Sequence, residues 1–482
     1  MDPMDSALAP HSERLSAQDS SFVLFEQRAT HMHVAALALA ELGPLRTPGG
    51  GLDAPRLIRY VESRLGALPR YRQKLVRAPF SGHPIWVDDD HFDLDYHVRH
   101  TALPHPGGME ELKRLVARVL SQPLDRDRPL WELWIIEGLE CDRFALLMKV
   151  HHCMVDGAAG VSLLTLLMRG DRDASIEPPE AWFPRPRPSA FRLAFGELTS
   201  RAQAPLALGG ALWDAARDPQ RALRDARERV GSIADALRAG LRLPAESTLN
   251  QLIGPHRRVE WLELDLEEVK RLRRKLGGTV NDVVLTIVAG AIGRFLARRR
   301  EAIESLDYRV VVPVNMRGAD GDPLLANRVS AFFISLPVRE GDPLARFDAV
   351  RRETSRLKTS RAAEGIDFFT QLVDRSGSTW LTALGVRLAA RVQPYNQIVS
   401  NVPGPQQPFY VLGARIEALY PLPPLFERQG LGTAVMSYCG KLCWGFVADR
   451  DSVPDLAALS RDVQAAHDEL RDAVLGPGTA SA

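Results

Sequence analysis

Apolar runs of strand length alternate with amphipathic stretches along most of this chain. Residues 21–41 open with a helical turn and pass into HMHVAALALA (31–40), a strand-like run. In APRLIRYVESRLGALPRYRQKLVR (54–77) apolar positions recur at helical spacing, which predicts an amphipathic helix. PIWVDDDHFDLDYHVRH (84–100) reads as extended chain, and GGMEELKRLVARVLSQPL (107–124) as a helix halted by Pro123. DRPLWELWIIEGL (127–139) and RFALLMKVHH (143–152) are apolar, strand-like runs, and Glu140–Asp142 between them suits a tight turn. GAAGVSLLTLLM (157–168) then predicts a buried helix.

The pattern changes at EPPEAWFPRPRPSA (177–190), whose five prolines predict a half-extended linker. Residues 191–243 carry nine arginines against six acids, with Pro205 and Pro219 as breaks. Broken amphipathic helices fit that stretch, as a solvated connection or as a surface that meets anionic lipid. Alternation resumes near residue 257. VEWLELDLEEVKRLRRKLG (259–277) predicts a strand, then a helix capped near Asp265. A long apolar helix (279–300), strands at 308–318 and 327–338 and a helix at 342–360 follow. Residues 397–422 mix strand and turn, 434–449 form a hairpin about Gly440, and 454–475 close the chain as a helix.

With 482 residues the chain exceeds one typical domain and suits two. A hydrophobic share of 45% is enough for a large core and argues against general disorder. Lys plus Arg number 61 and Asp plus Glu 60, so no bulk field recruits nucleic acid. Four cysteines are few for this length and point to a reducing compartment. Cys439 and Cys443 lack a histidine pair at finger spacing and read as apolar filler rather than zinc ligands. Asp2, Asp5 and Glu13 do not make a signal peptide. VAALALA (34–40) is too short to span a bilayer, and no other run reaches the ~18 apolar residues required, so any membrane contact is expected to be peripheral.

Only 12 histidines occur, and two are adjacent in HHCMVDG (151–157). They allow several readings: satisfied core groups, a metal pair or a catalytic pair. Neighbouring residues in a strand face opposite ways, so both histidines cannot grip one ion in regular geometry. If His152 points into a cavity, it is the candidate general base, because imidazole titrates near working pH. His151 then points into packing. Asp156 precedes the expected helix and can cap it or pair with an arginine, and Gly157 permits close backbone approach. No serine or cysteine nucleophile elbow lies nearby, which favours direct attack by a bound acceptor. A seven-residue match of this kind arises by chance on the order of once in a thousand such chains.

HHxxxDG resembles the signature shared by CoA-dependent acyltransferases, peptide-synthetase condensation domains and polyketide-associated acyltransferases. Further blocks narrow the resemblance. LSAQDSSFVLFEQRATHMHVAALAL (15–39), Pro129-Leu130-Trp131, NDVVLTIVAGAIGRFL (281–296), VPVNMRG (312–318), NRVSAFFISLPV (327–338) and SNVPGPQQPFYVLGARIEALYPL (400–422) stand in family order. Together they resemble the bacterial wax ester synthase/diacylglycerol acyltransferase family from about residue 15 to about 472.

That resemblance implies an α/β fold of two chloramphenicol-acetyltransferase-like domains with mixed sheets flanked by helices and an active-site tunnel between them. The expected division is 1–180, a linker at 181–250, and 251–482. The implied reaction moves a fatty acyl group from acyl-CoA, as substrate, to diacylglycerol or a long-chain alcohol. His152 takes the hydroxyl proton and returns it to the leaving thiolate. No metal or other cofactor is expected. His151 supports its neighbour, and Asp156 is tied to an arginine, for which Arg317 is a candidate. Asn281 and Asp282 either cap their helix or, through Asn281, donate to the thioester or oxyanion. Ser400 and Asn401, before the rigid Pro403-Gly404-Pro405 turn, raise the same choice. Pro129–Trp131 reads as packing. The implied setting is the cytoplasmic face of a membrane or a lipid-droplet surface, with no nucleic acid. The competing readings are a condensation-type enzyme fed by a carrier-protein thioester and a non-catalytic lipid-binding protein.

Overall fold

The computed structural model describes residues 13–78, 82–154, 166–189, 191, 193, 246–316, 328–359 and 393–476. The buried helix expected at 157–168 and the arginine-rich stretch 191–243 fall largely outside them.

The first half builds α1 (Ala17–Phe25), β2 (His33–Glu41), α2 (Ala54–Arg64), α3 (Met109–Leu120), β6 (Trp131–Leu139) and β7 (Arg143–His151). A small sheet joins β1 (Glu13–Arg14), β3 (Gln73–Arg77) and β4 (Pro84–Asp88). The helix expected over 54–77 therefore stops at Arg64, and its last five residues form β3. Gly66 and Pro69 break the helix between them, where two short 3-10 turns intervene. The extended stretch expected at 84–100 is also interrupted. Asp93 caps a single helical turn, Leu94–His97, before β5 (Val98–Ala102) begins.

The second half contains β8 (Arg257–Asp265), α4 (Leu266–Leu276), α5 (Val280–Arg298), β9 (Tyr308–Met316), β10 (Arg328–Leu336) and α6 (Pro343–Thr359). It continues with β11 (Gln397–Val402), β12 (Tyr410–Val411), β13 (Ala414–Leu422), β14 (Leu431–Tyr438), β15 (Lys441–Asp449) and α7 (Leu456–Leu475). Asp265 caps α4 by accepting from the Glu268 amide at 2.7 Å, as its position before EEVKRL predicts.

Two six-stranded mixed sheets form the body, in the orders β12-β13-β2-β7-β6-β5 and β10-β9-β11-β14-β15-β8. The segment 410–422, expected within the C-terminal half, is in the first sheet: β13 runs antiparallel to β2. Its Ile416, Ala418 and Tyr420 bury in the same core as Leu37 and Leu147. The division at 251 is thus crossed by one strand pair, which stitches the halves together. The second core surrounds α5.

Among the described residues α5 is one helix long and apolar enough to cross a membrane, contrary to the run-length expectation. Asn281, Asp282 and Arg294 interrupt its apolar run without making it polar on average. Its apolar window is 78% buried inside the protein, which is the behaviour of a core helix.

Candidate active site

β7 delivers the histidine pair. Its neighbours fix where it ends: the His151 amide donates to Leu130 O at 2.9 Å, and the His152 amide to Met32 O at 2.7 Å. Leu130 belongs to the Pro-Leu-Trp block, whose Trp131 is fully buried, stacks on His97 at 4.6 Å and donates from Nε1 to Tyr71 O at 2.8 Å. The block is a packing wedge beside the histidines, as expected of it.

The two imidazoles enter different surroundings, but not through strand alternation. The strand stops at His151, and His152 opens a 3-10 turn, His152–Met154. His151 is buried, and its Nδ1 accepts from the Cys153 amide at 3.1 Å. A neutral ring with that acceptor carries its proton on Nε2, which faces Glu26 Oε2 at 3.6 Å. Glu26 Oε1 lies 3.4 Å from His33 Nε2, and Arg126 Nε donates to Oε2 at 2.9 Å. Burial pushes Glu26 upward, but the His151 and His33 imidazoles and the Arg126 guanidinium outweigh it and hold the carboxylate far below its usual range. Burial pushes His33 down to about 3, against the pull of Glu26. His31 stacks on His33 at 5.3 Å and is shifted down too, by burial first and the Arg257 charge second.

His152 is half-buried and lies flat against Phe22 of α1, with ring centroids 3.8 Å apart and planes 22° apart. Burial lowers its pKa to about 4; its own backbone carbonyl pulls upward and the His151 charge pulls down. The ring is therefore neutral at pH 7, the state a general base requires. Its Nδ1 is buried with no hydrogen-bond partner among the described residues. Cys153 Sγ sits 2.9 Å from His151 Nδ1, and burial pushes the thiol well up, so it is no thiolate nucleophile.

Asp156, Gly157 and the candidate partner Arg317 lie outside the described residues. Asp282 proves to be a structural group. Thr279 caps α5, and Asp282 Oδ2 accepts from the Thr279 amide at 2.8 Å and hydroxyl at 2.7 Å. Its Oδ1 accepts from Thr354 at 2.8 Å, so the carboxylate is fully engaged. Asn281 is instead brought to Asn401, whose Nδ2 lies 3.4 Å from Asn281 Oδ1. Ser400 parts from this pair. Adjacent residues of β11 face opposite ways, and Asn401 shares the face of Val399, which packs in the α5 core.

Sequence reading missed Phe22, Glu26 and His33. Two signals were present: His31 and His33 at same-face strand spacing, and Phe22 and Glu26 at i, i+4 on a short helix. Among the described residues no cluster of three His, Cys, Asp or Glu side chains is placed to hold a metal ion.

Two α/β halves joined by an exchanged strand, with a neutral histidine at a strand end, define an HHxxxDG-type acyltransferase architecture. The wax ester synthase/diacylglycerol acyltransferase catalytic domain model matches residues 15–284, and the C-terminal domain model of the same family matches 325–471. A Mycobacterium tuberculosis protein named as a diacylglycerol O-acyltransferase is 34% identical over 462 residues, covering 92% of this chain and 87% of its own. The O-acyltransferase WSD of Acinetobacter baylyi is 30% identical, covering 92% of this chain and 93% of its own. The solved wax ester synthase/diacylglycerol acyltransferase of Marinobacter aquaeolei superposes with a TM-score of 0.67 at 26% identity, over 96% of this chain and all of that one. The first condensation domain of the calcium-dependent antibiotic synthetase superposes with a TM-score of 0.58 at 17% identity over 96% of this chain and 97% of that one, a likeness of fold alone. The chain belongs to the wax ester synthase/diacylglycerol acyltransferase family and is an O-acyltransferase.

Proposed function

We propose that this enzyme transfers a fatty acyl group from acyl-CoA to the hydroxyl of diacylglycerol or a long-chain alcohol, with His152 as general base. The observation that carries the proposal is a half-buried imidazole kept neutral beside the end of β7. With Nδ1 buried and its own carbonyl favouring a ring proton, we assign that proton to Nδ1 and the reacting lone pair to Nε2. The acceptor hydroxyl gives its proton to Nε2 as its oxygen bonds to the thioester carbon. The tetrahedral oxyanion then collapses, the C–S bond breaks, and the imidazolium returns the proton to the CoA thiolate. No covalent enzyme intermediate and no resident cofactor enter this scheme. The Asn281–Asn401 pair is our candidate donor set for the oxyanion.

The reaction's greasy substrates suit a lipid interface, which we place at the cytoplasmic face of a membrane or on a lipid droplet. Supporting this setting, Phe183 and Phe191 on the proline- and arginine-rich connection are 79% and 81% exposed.

The test is thiol release from palmitoyl-CoA with hexadecanol and with dipalmitoylglycerol in parallel, beside His152→Ala. Acceptor-dependent release that falls by about 10²–10⁴-fold in the variant is the expected result. Undiminished release by a folded His152→Ala protein removes His152 as the base. Release that requires an acyl carrier protein in place of free acyl-CoA moves the donor to the condensation-domain class.

A further inference from the structure

We propose that Phe22 is a positioning residue for the acyl-transfer step, its ring face holding the His152 imidazole in the orientation from which Nε2 reaches the acceptor hydroxyl. This rests on the reading of His152 as the base. A catalytic imidazole is commonly oriented by a third group that hydrogen-bonds its other nitrogen. Among the described residues no other residue hydrogen-bonds Nδ1 of His152; only its own carbonyl acts on that nitrogen, and the amide bond to Met32 O fixes only the backbone. The terminal torsion of a histidine is broad, so backbone anchoring leaves the ring plane free. The parallel contact at 3.8 Å removes that freedom, because rotation would drive the imidazole into the phenyl ring.

The helix that carries Phe22 is itself well held. Ser16 caps α1 by accepting from the Asp19 amide at 3.0 Å. One turn beyond Phe22, on the same face, Glu26 meets His151 and is pinned by Arg126. Arg126 also donates to Val23 O at 3.3 Å, and Phe25 packs edge-on against Phe426 of the second half at 5.5 Å. The helix and its C-cap residue thus contact both histidines, Phe22 through a ring against His152 and Glu26 through a carboxylate beside His151. The sequence carries this as Phe-x-x-x-Glu, residues 22–26.

The experiment follows thiol release by the full-length chain with palmitoyl-CoA and its better acceptor. Phe22→Leu removes the flat face and keeps the bulk apolar. Its kcat is expected to fall by about 10- to 100-fold, as for a base displaced by about an ångström, with KM little changed. Phe22→Tyr keeps the ring and recovers most of kcat. In a His152→Ala background Phe22→Leu costs nothing further, because a residue acting only through His152 has nothing left to position. Thermal melts accompany each variant, and Phe22→Met replaces Phe22→Leu if the latter does not fold. Unchanged kcat in Phe22→Leu overturns the proposal. So does a raised KM at constant kcat, which makes Phe22 a substrate contact, and so does an additive loss in the double variant. Activity retained by His152→Ala itself refutes the base assignment, an outcome separate from the failure of Phe22 alone.

Discussion

His33 and His151 stand directly opposite each other in β2 and β7, ring centroids 6.0 Å apart, and Glu26 reaches toward both. The Glu26 carboxylate stands between the two rings and is paired from the outside with Arg126. Glu26→Gln leaves Arg126 without its anion and places an amide between the two imidazoles. We expect a loss of about 1–3 kcal/mol in urea unfolding, the usual cost of breaking a largely buried, charge-assisted contact. A change under about 0.5 kcal/mol would show that the cluster is held by packing of α1 alone.

Acid sensitivity follows from the same residues. In the folded protein His33 titrates at about 3 and His152 at about 4, both below the ordinary 6.5. As pH falls through 6.5 the unfolded chain takes up these protons and the native one does not. Native stability therefore declines from pH 6.5 down to about 4 for His152 and about 3 for His33, and is flat above 6.5 as far as these groups are concerned. Glu26 acts in the next window. Its lowered carboxyl stabilises the fold above its ordinary 4.5, and that contribution is lost below. Thermal melts at half-unit steps are expected to show the decline beginning near pH 6.5. A melting temperature constant from pH 7 to pH 5 contradicts the neutral burial of these rings.

Local signals were legible in the sequence where the physics is local. Asp265 caps α4, and Cys439 and Gly440 make the β14–β15 turn with positive φ. The helix expected over 54–77 was overextended because amphipathic spacing outweighed two breakers, Gly66 and Pro69. The exchanged strand was illegible for a different reason: β13 reads as an ordinary strand, and its pairing with β2 lies hundreds of residues away. His152 was visible as a motif residue, whereas Phe22 and Glu26 acquire meaning only once α1 is laid across the turn that follows β7.

Asp282 separates capping from chemistry. Its three accepted bonds, from the Thr279 amide and hydroxyl and the Thr354 hydroxyl, all hold α5 to its surroundings. Asp282→Ala is expected to lower stability by about 1–3 kcal/mol in urea unfolding, since it leaves buried donors unmatched. At temperatures where the variant stays folded, kcat is expected to remain within about 3-fold of the parent, a change of under about 1 kcal/mol in barrier. A large kcat loss in a variant of unchanged stability would place Asp282 at the reacting atoms.

Gly445 tests how closely the exchanged strand lies against the second sheet. A Cβ there would stand 1.8 Å from Pro421 O, a backbone atom of β13 that cannot step aside as a side chain would. Gly445→Ala must therefore separate β15 from β13, with an expected loss of at least about 1–3 kcal/mol. Gly440, in the hairpin turn at φ +79°, has open space around it, so its alanine variant carries only backbone strain. Urea unfolding of the two alanine variants is expected to show the larger loss at 445. The reverse order would mean that the sheets are not in contact there.

The pH dependence of catalysis reads the base most directly. The acid limb of kcat/KM reports the free enzyme's essential base, and with His152 in that role, as proposed, it falls at about 4 rather than 6.5. Burial is the first cause of that shift, and Phe22 covers one face of the ring. We therefore expect activity to persist well below pH 6.5 in brief assays started by pH jump, before acid unfolding intervenes. Phe22→Leu exposes the ring to water, weakens the desolvation that disfavours imidazolium, and should move the limb upward toward 6.5. If the parent's limb already lies at 6.5, its imidazole is hydrated during turnover, and Phe22 does not shield it.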